Sequence, residues 1–328
     1  MAGYNEIRGL RVKYLSADPS NAENGQVWYN STSGTLRVKG IGVGAWSSAP
    51  TLNVGRYAIG GTGTQTAALA ASGQISPGNT TTSTEEYDGS NWTTSGAVGT
   101  SRYTMASGGT QTAAIISMGF TGTAAITTTE LYNGSSWTAG TSSNDNRTNL
   151  GSGGTQTSFV AFGGTESPGI SAATEEWDGS SWTTGGNLGT ARYQMSGNNI
   201  GTQTASLAAG GLSPAPPAAT KTEHYNGSTW SSGGTIPGSG NGNAARGGTQ
   251  TATYFAGGSY SPNSAVLHYD GSSWSAAPSL GTGRGQISGS QASQTAAIVF
   301  GGGTSPTPFQ STEEYNVTAG AATTLTTS

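Results

Sequence analysis

The side chains able to do chemistry are few. Of 328 residues only 9% are charged, two are histidines and none is cysteine. A thiolate nucleophile and a disulfide framework are therefore both excluded. His224 and His268, with no cysteine beside them, make a poor ligand set for zinc. Both stand directly before a tyrosine, Tyr225 and Tyr269, at the same slot of a recurring motif. They are expected in separate structural units with structural roles, and no Ser–His–Asp arrangement has local support. The expectation is a chain with no catalytic residue, no metal and no cofactor.

Carboxylates recur in adjacent pairs: Glu85–Glu86, Glu175–Glu176 and Glu313–Glu314. A glycosidase needs two carboxylates facing each other across a sugar. Neighbours on one strand point to opposite faces, so each pair must split. The pair also recurs in three copies, which marks a structural slot.

Arginine is the sharper candidate. Arg56, Arg102, Arg147, Arg192 and Arg284 each lie 9 to 11 residues before a glutamine, and Asn241 fills that slot in one further copy. Two readings stay open. Guanidiniums at the start of repeated strands could ring one mouth and hold an anionic group. Alternatively they bridge to the Glu pairs of a neighbouring unit.

These residues sit on a repeat. "TEEYDGSNW" (84–92) returns as "TEEWDGSSW" (174–182), with looser copies "TELYNGSSW", "TEHYNGSTW" and "LHYDGSSW". Trp46, Trp92, Trp137, Trp182, Trp230 and Trp274 are spaced by 44 to 48 residues, and Gln65, Gln111, Gln156, Gln203, Gln250 and Gln294 by 44 to 47. An aromatic precedes each Trp by five residues from Trp92 onward, and Tyr315 closes the series without a Trp. One period reads as four short strands: an Arg-led strand, a "QT" turn, an apolar strand ending in Gly, a variable loop, the "TEEY" strand, a "DG" or "NG" turn and a Trp strand. Asn-Gly and Asp-Gly suit tight hairpins because both residues accept positive φ cheaply. Four strands in about 45 residues is the size of a propeller blade.

A double Gly after an apolar strand, then Tyr, then Trp, with Arg opening the next unit, resembles the kelch repeat across residues 46 to 316. The resemblance implies an all-β, six-bladed kelch-like β-propeller. The first Trp precedes the first "QT" turn and the last copy lacks one. The strand around Trp46 is therefore expected to complete the last blade and join the two ends of the chain. Sialidase turns of the form S-x-D-x-G-x-T-W have no match, since "YDGSSW" has nothing between Asp and Gly.

Residues 1–40 stand outside the repeat as an N-terminal arm, leaving 41–328 for the propeller. "GQVWYNSTSGTLRV" (25–38) reads as a hairpin and resembles short modules near the start of tail and fibre-like proteins of tailed bacteriophages. That resemblance implies a virion protein attached to other virion proteins through the arm, in many copies. The arm carries five basic and three acidic residues and the remainder seven and thirteen.

Net charge is −4 and the pI about 5.1, which argues against a nucleic-acid partner. No apolar run approaches membrane-spanning length, and "MAGYNEIRGLRVKYL" lacks a signal peptide's apolar stretch, so the chain is expected to be made in the host cytoplasm. The loops between second and third strands vary most, are rich in Ser, Thr, Pro and Asn, and carry Tyr260 and Phe309. Recognition of a host-surface glycan or protein is expected there. The functional expectation is a non-enzymatic structural or adhesion protein of a tailed-phage virion. A stand-alone lectin-like propeller is the alternative, and a glycan-cleaving enzyme the third class.

Overall fold

The computed structural model describes residues 12–325 except 24, 41, 196–197, 214–219, 239–241, 259–262, 292, 305–306 and 319. Asn241, Tyr260 and the first eleven residues of the arm lie outside the described residues. No α-helix occurs among the described residues, as expected where Gly, Ser and Thr break every apolar run. The chain divides into Trp46–Asn316 and a smaller unit of Met1–Ala45 with Val317–Ser328. The C-terminal residues join the arm because the Thr-rich strand Ala322–Thr324 pairs antiparallel with Thr35–Lys39.

Within Trp46–Asn316 each of the first five sequence repeats folds as an antiparallel meander of four strands, the kind of sheet from which propeller blades are built. The first comprises Gly60–Thr64, Ala67–Ala71, Thr84–Tyr87 and Trp92–Ser95. The second runs from Ala106–Gly109 to Trp137–Gly140 and the third from Gly151–Thr155 to Trp182–Thr184. The fourth and fifth merge into one eight-stranded sheet, because Asn198–Thr202 and Ala245–Thr249 pair in parallel. In the last sheet Ser288–Gly289, Ala296–Phe300 and Thr312–Thr318 are followed by Val43–Ala49, which carries Trp46.

The "DG" and "NG" turns set the register. They place each Trp directly opposite the aromatic five residues earlier, as in Trp92↔Tyr87 and Trp182↔Trp177. The ring centroids of these two pairs lie 5.1 and 5.5 Å apart, and those of Trp46 and Tyr315 lie 5.2 Å apart. Gly89 at φ +90° holds a conformation that any side chain would strain.

Two further slots join each sheet to the one before. The Gln of every "QT" turn donates its side-chain amide to two carbonyls of the preceding repeat. Gln111 reaches Ala68 and Tyr87 at 3.1 and 2.7 Å. Gln65 of the first repeat reaches Tyr315 of the last at 2.8 Å. The indoles of Trp92, Trp137, Trp182, Trp230 and Trp274 each donate to the Thr that opens the preceding repeat's third strand. Trp137 to Thr84 (2.9 Å) and Trp274 to Thr222 (2.9 Å) are examples, and Trp92 reaches Thr312 of the last repeat at 3.1 Å.

The small residues of the first strands are buried against one another. Ser107 and Ser152 hydroxyls donate to the Gly61 and Ser107 carbonyls, and Asn199 Nδ2 donates to Thr62 Oγ1 at 2.9 Å.

Candidate functional site

The five repeated arginines lie inside the sheets, each with no exposed surface. Arg56 Nη2 meets Glu85 Oε1 at 2.7 Å, Arg147 meets Glu175 at 2.8 Å and Arg192 meets Glu223 at 2.8 Å. Arg102–Glu130 and Arg284–Glu313 form the same pair. The partner is always the first carboxylate of the "TE" motif in the arginine's own repeat, rather than a neighbour's. Burial pulls the Arg56, Arg102, Arg192 and Arg284 guanidiniums below their ordinary pKa, and the facing carboxylate works against that pull.

The rest of each guanidinium shows what the pair does. Arg147 Nη1 donates to the Gly163 and Ala173 carbonyls, both at 2.8 Å. Arg192 Nη1 donates to Gly210 and Lys221 at 2.9 and 2.8 Å. In both repeats one carbonyl lies where the second strand ends and the other where the third begins, so the arginine ties the two ends of the intervening loop. The carboxylate reaches the other way. Glu85 accepts from the amides of Asn53 and Val54 at 2.6 and 3.3 Å, and Glu175 from Asn144 at 2.7 Å. These amides belong to the segment entering the repeat from the preceding Trp strand. In five of the six repeats one ion pair therefore staples the two kinds of loop that share one edge of the sheets. Five charge-assisted staples make that edge a rigid base for variable loops.

The second carboxylate of each pair points to the opposite face, as strand alternation requires. Tyr87 donates to Glu314 at 2.7 Å and Tyr225 to Glu176 at 2.5 Å, and Tyr132 donates to Glu86. Each such bond crosses from one repeat to the next. Burial, reinforced by Glu86, pushes the Tyr132 phenol up to about 12. His224 occupies the same slot and bonds the Tyr269 hydroxyl at 2.8 Å, while His268 packs edge-on against Tyr315 with centroids 5.6 Å apart. Burial lowers the pKa of both imidazoles. Leu131 holds the slot where the next repeat carries Trp177, which has no hydroxyl to satisfy.

Two grooves open on the loop-bearing edge, each between a second-to-third-strand loop and an entering segment. One, of about 500 Å³, is lined by Gly55, Thr282, Pro308, Phe309, Gln310 and Ser311. Its floor is fixed: Phe309 accepts from Arg56 N at 3.2 Å and donates to Gly302 O at 2.7 Å, and Leu52 N donates to Gln310 O at 2.8 Å. The other, of about 420 Å³, is lined by Ala125–Thr128 and the polar run Asn144, Asp145 and Asn146. Two of these loops carry short hairpins of their own, since Gln74–Ser76 pairs with Asn79–Thr80 and Thr165–Glu166 with Gly169–Ile170.

Arg246 was not singled out as a site residue by sequence reasoning. It is the one charged residue on a first strand, lies 4.3 Å above the Phe255 ring, and is pulled down to about 9 by burial and by Arg192. Among the described residues no three His, Asp or Glu side chains gather as a metal site. No protein-family model matches this chain, and no curated protein matches it.

Proposed function

We propose that this chain is a non-enzymatic structural and adhesion protein of a tailed-phage virion. In this reading Trp46–Asn316 is a closed, six-bladed, kelch-like β-propeller that presents its loop-bearing edge to a host-surface glycan or protein. The N-terminal unit attaches it to other virion proteins in many copies. Ring closure is supported by the first repeat's bonds from Gln65 and Trp92 back to the last. The virion assignment is supported by the hairpin at Val27–Lys39 and its resemblance to phage tail modules.

The observation that carries the binding role is the use made of charge. Five Arg–Glu pairs and the Glu–Tyr bonds hold sheets and loops in place, so these groups serve architecture. Catalysis draws on an asymmetric set of acids, bases or nucleophiles, whereas binding needs shape and hydrogen bonds. The Phe309 groove offers both: a half-buried ring for a sugar face, with Thr282, Gln310 and Ser311 around it. That groove also favours the second reading, a stand-alone lectin-like propeller.

The test has two arms. Purified particles are digested and quantified for this chain, with many copies per particle expected; its absence overturns the virion assignment. The isolated protein is screened on a polysaccharide panel, with binding expected to fall at least about tenfold in Phe309→Ala. Release of reducing ends above background, or binding unchanged by the substitution, contradicts the recognition model.

A further inference from the structure

The smaller unit is a four-stranded sheet in the order Lys13–Leu15, Val27–Asn30, Thr35–Lys39 and Ala322–Thr324. Its two faces differ sharply. On one, Trp28 is fully buried and Asn30 nearly so. The segment between the first two strands folds over them. Asp18 accepts from Trp28 Nε1 and Asn30 Nδ2, both at 2.9 Å, and pairs with Arg37 at 3.0 Å. Strand alternation places Lys13 and Lys39 on this same face.

On the other face, among the described residues, apolar side chains are left exposed or half-buried. Cross-strand register lines up Tyr14, Tyr29 and Leu36, and Leu325 donates its amide to the Leu36 carbonyl at the end of that row. Val27 and Val38 are paired beside them. Tyr14 is 75% exposed, Leu325 45% and Leu36 36%, and the Tyr14 and Tyr29 rings touch with centroids 4.6 Å apart. An exposed apolar face of this kind marks an interaction site.

The geometry points to a second copy of this chain as the occupant, its own apolar sheet face packed against this one. Three observations select it. The face has no charged side chain, so it has nothing with which to choose a charged partner. Among the described residues the unit's cations, Lys13, Arg37 and Lys39, lie on the opposite face, so stacking two apolar faces brings none of these like charges together. Trp28 is the only fully buried hydrophobic side chain of this unit among its described residues, and a sheet with so small a core needs a second layer. Two such faces form a two-layer packing at the usual sheet separation of about 10 Å. With strands about 4.8 Å apart and about 3.3 Å per residue, the face covers roughly 300 Å². A stable pair usually buries about 800 Å² on each side. Association is therefore reversible and depends on concentration, and becomes firm where many copies are held together. The inference does not depend on the viral reading.

Sedimentation of the full chain between about 1 µM and about 1 mM tests it. The weight-average mass is expected to rise with concentration, while a Tyr14→Asp/Leu36→Asp variant with an unchanged unfolding midpoint stays at the mass of one chain. Because the chain has no cysteine, Leu36→Cys should give a covalent dimer on mild oxidation and Thr94→Cys should not. A wild-type chain that stays single throughout the range overturns the proposal. So does association that survives the double substitution, or equal cross-linking from both cysteine variants.

Discussion

The junction between the first and second repeats and the junction between the fifth and sixth use the same slots with opposite chemistry. At the first, Thr84 accepts from the Trp137 indole and Glu86 from Tyr132, while Glu85 between them holds Arg56 of its own repeat. At the second, Val266, Leu267 and His268 replace those three residues. Trp46 Nε1 and His268 Nε2 are then buried with no hydrogen-bond partner. Only the Gln slot is kept, with Gln294 bonding the Thr253 and Tyr269 carbonyls at 2.8 and 2.5 Å. The difference teaches that slots change in sets. Leu267 stands where the carboxylate would be, in the same repeat whose arginine slot is Asn241. An unpaired buried charge costs far more than an apolar replacement of both partners, so the pair is kept whole or lost whole. Leu131 facing Trp177 follows the same logic for a neutral pair.

The comparison can be broken most easily at its aromatic anchors. Trp182→Ala removes a buried indole that donates to Thr129 at 3.1 Å, and a loss of about 3–5 kcal/mol is expected in urea unfolding. Trp46→Ala removes a half-buried indole without that bond and should cost clearly less; an equal or greater loss would mean that the two junctions are equivalent. Exchanging the acceptors sharpens the contrast. Thr222→Val strands the Trp274 indole and should cost about 1–2 kcal/mol, while Val266→Thr supplies Trp46 with an acceptor and should gain about 1 kcal/mol.

A smaller effect is expected from pH. Burial lowers the pKa of His268 below 6.5, so the unfolded chain binds its proton more readily than the folded one. Stability is then full above 6.5 and falls as the pH drops below it. His224 shifts in the same direction, so His268→Leu should remove only part of the slope measured by thermal unfolding. The smallest effect concerns the turns. Asn133 accepts from the Ser135 and Ser136 amides as Asp88 does from Ser90 and Asn91. Asn133→Asp should leave the unfolding midpoint unchanged, and a measurable drop would show that the Asp and Asn turns are not interchangeable.

Much of this arrangement was legible in the sequence, because the Trp, Tyr and Gln rulers report strands and turns directly. The offset between the first Trp and the first "QT" turn places Trp46 beside Tyr315. The splitting of each Glu pair followed from strand alternation alone. The arginine partners were not legible. Arg147 and Glu175 are 28 residues apart, and spacing cannot say whether a strand start faces its own sheet or the next. For the same reason Asn241 and Leu267 did not read as one coupled change. The hydrogen bonds among the first strands were hidden too, since small residues such as Thr62, Ser107 and Ser152 do not say which carbonyl they will meet. Nothing in "AATTLTTS" announces that its strand completes the sheet of the arm.

The claim that charges in the repeats come and go as architectural pairs is tested most directly by converting the third repeat to the fifth repeat's residues. Arg147→Asn and Glu175→Leu are made singly and together and followed by equilibrium unfolding. Each single change is expected to cost about 3–5 kcal/mol, since each leaves a buried charge alone. The double variant should cost no more than the milder single one, a strong departure from additivity. Additive losses in the double variant would contradict the account.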